Sequence, residues 1–214
     1  MHRLSCALVA LSLLSVTGCL DGFGGGGGGG EGEGEGERKY PAAYSATIDL
    51  ELSEVDAVSD QTITTVAIVA SFARDGDESE GSYSATSLTV AGTVEIYYSG
   101  EGGVVQHCTI SDLFGSDVLP GIGTIAVGEF PGTGLAFLGT VDWHGYGTEH
   151  CEGRATDEEE PVSIHVSASE DYCETVSFVA VEDTSVLHYN DAVQCAKDTL
   201  DEITVTVDWT ADAV

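Results

Sequence analysis

The chain predicts an all-β fold over residues 40–214, an antiparallel sandwich with a β-barrel as the alternative, and three observations carry that prediction. Apolar residues recur at every second position through most of the segment, clusters of Gly, Asp, Glu and Ser interrupt it at short intervals, and long helical periodicity is scarce. A parallel sheet would need a crossover of a dozen or more residues between strands, usually helical, so a βαβ architecture is disfavoured.

The first strand runs from Tyr44 to Leu52, with Tyr44, Ala46, Ile48, Leu50 and Leu52 on one face and Ser45, Thr47, Asp49 and Glu51 on the wet one. From Thr62 to Ala73 both faces are apolar or small, Val66, Ile68, Ala70 and Phe72 opposing Ile63, Ala67, Val69 and Ala73, which predicts a strand covered on both sides. Further strands follow at Ser87–Tyr98, with a bulge expected at Gly92, then at Val104–Ile110, Thr124–Phe130 and Leu135–Trp143. Late strands are expected at Val162–Ala168, Thr175–Val181 and Ile203–Thr210, and one short helix near residues 190–200. A segment of this size buries roughly 70% of its unfolded surface, enough for one acidic domain with a real core.

Four cysteines fall in that segment, Cys108, Cys151, Cys173 and Cys195. An even count in an exported domain predicts two disulfides, and three connectivities are open. Neighbours in sequence are more often neighbours in space, which favours Cys108 with Cys151 and Cys173 with Cys195. No Cys-x-x-Cys spacing supports a metal site instead.

The whole chain has six Lys and Arg against 37 Asp and Glu, a formal charge of −31. Binding to phosphate backbones requires a basic patch, so nucleic acid is excluded as a partner. The acids are spread over nearly every loop, a whole-surface property that keeps a protein hydrated in a saline habitat or attracts cations and basic partners.

At the N-terminus, His2 and Arg3 precede an apolar run from Leu4 to Val16, which ends in Val16-Thr17-Gly18-Cys19. The run is shorter than the roughly 20 residues that span a bilayer and fits the core of a secretory signal. These residues resemble the signal peptide and lipobox of bacterial lipoproteins, with Val16 where Leu is usual and Thr17 where Ala or Ser is usual. The resemblance, confined to residues 1–20, implies cleavage after Gly18 and a diacylglyceryl anchor on the sulfur of Cys19. Two or more acyl chains hold a protein stably at a membrane, so the expected location is the cell envelope, extracytoplasmic and lipid-anchored. Leu20 follows the anchored cysteine where enteric proteins retained at the inner membrane carry Asp, which favours the outer membrane in a cell that has one. Residues 19–39 then form a linker of Gly and Glu, including an unbroken run from Gly24 to Gly30, that cannot build a core.

Two segments carry candidate chemistry. Asp75, Asp77 and Ser79 place oxygens at alternate positions as a calcium loop does, although Glu80 stands where that loop requires glycine, Thr86 stands where it requires the bidentate Glu, and an acidic hairpin turn accounts for the same residues. The stretch from Asp142 to Cys151 mixes two histidines, two carboxylates and two aromatics in what reads as a flexible loop. There Trp143, His144 and Tyr146 are candidate carbohydrate-binding residues, stacking on a sugar and bonding its hydroxyls, and His144, Glu149 and His150 are a candidate transition-metal set. The plainer expectation is that Trp143 packs in the core and Cys151 staples the loop. His165 is expected to face solvent between Ser163 and Ser167. With no Gly-x-Ser-x-Gly elbow and no His-Glu-x-x-His, the sequence favours a non-enzymatic binding, adhesion or envelope-structural role, with protein or carbohydrate as ligand. A calcium-dependent binding module and an envelope hydrolase are the alternatives.

Overall fold

The computed structural model describes residues 38–55, 60–100, 103–115, 122–169, 177–196 and 202–214. The signal segment, Cys19, most of the linker and Cys173 lie outside the described residues. Ten strands and no helix occur among the described residues: β1 (Ala43–Val55), β2 (Gln61–Arg74), β3 (Ser82–Gly100), β4 (Gly103–Gly115), β5 (Ile122–Phe130), β6 (Gly134–Cys151), β7 (Glu158–Ala168), β8 (Val179–Ala180), β9 (Val186–Ala196) and β10 (Glu202–Ala213). All pairings are antiparallel.

One layer runs β9-β10-β1-β2-β3. The far edge of β3 is shared, Ser82–Ser84 pairing with β5 and Val94–Gly100 with β4. Strand β6 receives both, β5 along Gly134–Asp142 and β4 along Gly145–Cys151, so β4 and β5 lie end to end between β3 and β6. Strands β7 and β8 pair with the other edge of β6.

The two layers face each other across one core. A Cβ on Gly139 of β6 would stand 2.7 Å from the Trp209 ring of β10, and one on Gly123 of β5 would stand 3.0 Å from Phe72 of β2. The result is a sandwich-like fold joined through β3, and not a clean barrel, because no pairing closes β9 onto β7 among the described residues. Tyr44, Ile48, Ile68, Phe72, Val141, Trp143, Val166 and Trp209 fill the interior, each at 4% exposure or less. Burying a side chain of this size contributes about 1.5–3 kcal/mol.

Several sequence expectations need correction. Strand β2 is covered on one side only: Val69 is 52% exposed and Thr65 and Ala67 are also open, because nothing packs on the outer face of that layer among the described residues. The bulge lies opposite Ser71/Phe72, where β3 holds an extra residue at Thr86, and the register runs unbroken past Gly92. Residues 190–196 form the second half of β9 and no helix. Its alternation starts earlier, at Leu187 and Tyr189, which are buried opposite Ala211 and Trp209, so a window opened at Asn190 misses its strongest part. Of the expected strand Thr175–Val181, the described residues hold the short β8, Val179–Ala180, followed by a 2.9 Å hydrogen bond from the Val181 N–H to the Leu135 carbonyl of β6.

Candidate functional site

The stretch expected to be a loop after Trp143 is the second half of β6, which continues without interruption to Cys151. Gly145 and Gly147 read as turn residues in sequence, but both point inward. A Cβ at Gly145 would collide with the Trp143 ring at 2.4 Å, and one at Gly147 with Ile110 at 2.4 Å and Leu113 at 2.9 Å. The glycines therefore make room for large neighbours inside the sheet, and the strand period turns Asp142, His144, Tyr146, Thr148 and His150 outward.

That period separates the predicted ligand-binding residues. Trp143 is 1% exposed and belongs to the core, so its ring face is closed to any ligand. His144 and Tyr146 stay on the surface. Tyr146 gains a neighbour that the sequence did not single out, Phe114 of β4, which is its register partner. Their rings stack with centroids 5.9 Å apart at 28°, and remain 37% and 47% exposed respectively. Asp112, at φ 52°, accompanies the register shift between Ser111 and Phe114 that sets Phe114 opposite Tyr146. No single-sequence periodicity marks such a shift.

Across the other edge, Tyr146 pairs with the exposed Pro161, His144 with Ser163 and Asp142 with His165. His144 Nδ1 lies 3.0 Å from Ser163 Oγ, and His165 Nδ1 lies 2.6 Å from Asp142 Oδ1. Three rows thus cross this outer face: Phe114–Tyr146–Pro161, then His144–Ser163, then Ile122–Asp142–His165. His165 faces solvent as expected, whereas Ser167 is buried. In a Ser-His-Asp triad one imidazole bridges the nucleophile and the carboxylate. Here Ser163 and Asp142 each meet a different imidazole, so these residues do not form a triad.

The candidate metal set His144, Glu149 and His150 is not brought together. The two histidines lie on one face six residues apart, about 20 Å along a strand, and Glu149 points the opposite way, into the protein. Glu149 is 6% exposed and accepts a 2.6 Å hydrogen bond from Arg154, while His150 Nδ1 is 2.8 Å from Asp157. Among the described residues, only Cys108, Glu149 and Cys151 bring three potential ligand atoms within 4.8 Å of one another. Both sulfurs are committed, since Cys108 and Cys151 are register partners of β4 and β6 joined by a disulfide with a Cα–Cα distance of 4.0 Å. The expected partner pair Cys173 and Cys195 falls outside what is described, Cys173 wholly and Cys195 for its side chain.

The Asp75–Gly81 turn closes the β2–β3 hairpin. Asp77 Oδ1 accepts hydrogen bonds from the backbone N–H and the hydroxyl of Ser79, which hold its carboxyl below the usual range. Asp75 accepts one from Ser82 at 3.2 Å, and Glu78 pairs with Lys39 at 2.6 Å. Arg38 and Lys39 line an open hollow there together with Asp77, Glu78 and Ser79. This is the arrangement of an acidic hairpin turn capped by its own side chains.

Comparison with protein-family models, curated proteins and solved structures finds no match to this chain.

Proposed function

We propose that this protein is a lipid-anchored envelope protein whose β domain binds a ligand through the outer face of β6 and β7. One observation carries the binding role: an aromatic pair, Phe114 and Tyr146, stays exposed on this face with the exposed Pro161 beside it. Of the carboxylates on this face, Asp142 is engaged by His165, and Glu159 stands one row beyond Tyr146 and Pro161. Three of the chain's six histidines, His144, His150 and His165, point outward on these two strands. The other layer presents Asp49, Glu51, Asp208 and Asp212 on its outer face. Aromatic side chains are enriched at recognition surfaces, where they supply contact area and anchors.

The anchor and the linker support the rest of the reading. A cysteine at the end of a short secretory signal supplies a membrane tether, and about 20 residues of Gly and Glu give a reach on the order of 25 Å. The domain is then free to meet a ligand away from the lipid surface.

The test has two arms. Cys19→Ala should move the full-length protein from the membrane fraction to the soluble one, and continued sedimentation with membranes would refute the tether. Tyr146→Ala should weaken retention of the protein by delipidated envelope material. Equal retention of wild type and variant would refute the binding face.

A further inference from the structure

We infer that the ligand of the β6–β7 face is a neutral polysaccharide, a reading that deepens the binding role above and rests on it. A pyranose ring has a C–H face that stacks on aromatic rings and a rim of hydroxyls that each donate and accept, so its site combines ring faces with side-chain hydrogen-bonding groups beside them. The outer face of β6 has that order. Phe114, Tyr146 and Pro161 make an apolar strip across three strands, and the His144–Ser163 pair lies one row away. Rows on one face are two residues apart, about 7 Å. The Asp142–His165 pair stands one row further, so stacking and hydrogen-bonding groups are offered in neighbouring rows of one exposed surface.

Charge selects within the class. Uronate, sulfate and phosphate polymers are repelled by a chain of formal charge −31, and this face offers no Lys or Arg to offset the repulsion. A basic protein would find its denser complement on the opposite layer, where Asp49, Glu51, Asp208 and Asp212 face outward. Neutral glycans need neither contact.

The experiment is native affinity electrophoresis of the full-length chain in non-ionic detergent, through gels cast with hydroxyethyl cellulose, arabinoxylan or galactomannan, with alginate as the polyanion. The expected result is retardation in at least one neutral gel and none in alginate. The Phe114→Ala/Tyr146→Ala double variant should bind about tenfold more weakly, the equivalent of about 1.4 kcal/mol of lost stacking. His188→Ala, on the opposite layer, should migrate as wild type, and unchanged far-ultraviolet circular dichroism should accompany both variants. Retardation that survives the double substitution overturns the proposed site, and retardation in alginate alone overturns the charge argument. No retardation in any neutral gel, with envelope retention still weakened by Tyr146→Ala, overturns the glycan and leaves the face as a protein-binding surface. Loss of that sensitivity as well overturns the face itself.

Discussion

The Cys108–Cys151 bridge ties β4 to β6, and breaking it measures what that tie contributes to stability. The bond joins register partners on β4 and β6 and closes a loop of 43 residues that contains β5 and the hairpin leading into β6. In the chain-entropy treatment a loop of that length takes about 13 cal/mol/K from the unfolded ensemble, or about 4 kcal/mol at 25 °C. Both cysteines are 1% exposed, so the native packing around the sulfurs is lost together with the bond. The double variant Cys108→Ala/Cys151→Ala avoids leaving one free thiol behind. Urea unfolding should report a loss of about 4 kcal/mol, and a thermal melt should fall by about 8–16 °C for a domain of this size. A loss below about 1 kcal/mol would mean that the unfolded chain is not constrained by this bridge, and the reasoning would fail.

Two further outcomes follow from packing and from the turn. Gly139→Ala sets a methyl group 2.7 Å from the fully buried Trp209 ring, so overpacking should cost about 1–3 kcal/mol and lower the melting temperature, with a shift in tryptophan emission; an unchanged melt would refute the close approach of β6 to Trp209. Asp77 has its carboxyl held below its ordinary value of 3.8 by Ser79, so its contribution is present above pH 3.8 and is lost as the pH falls through the lower folded value. Melting temperatures of wild type and Asp77→Asn measured from pH 7 to pH 2 should therefore differ above pH 3.8 and converge at the acid end. Curves that stay parallel throughout would remove the hydrogen bonds of this turn from the stability account.

The strands were legible wherever one face was consistently apolar. Tyr44 to Leu50 and Val66 to Phe72 alternate cleanly, and the sheet buries the residues that the pattern assigns to the core. Legibility failed where a local signal had a tertiary cause. Gly145 and Gly147 resemble turn residues until Trp143, Ile110 and Leu113 are seen to occupy the space their side chains would need. The apolar second face of β2 resembled a buried one because small residues such as Ala67 carry little burial information on their own. Of the candidate residues, His144 and Tyr146 lie on the surface and Trp143 lies in the core, as the plainer expectation had it, while Phe114, which the sequence did not single out, reaches Tyr146 through the register shift near Asp112.

The sequence by itself determined the class of structure: an acidic, antiparallel β chain, since alternation and charge are properties of residues in order. Only the tertiary structure decided which residues share a surface. Strand pairing sets neighbours at right angles to the chain, so Phe114, Tyr146 and Pro161 form one row although they come from β4, β6 and β7. That row depends on register, and register is fixed by a core that all ten strands build together.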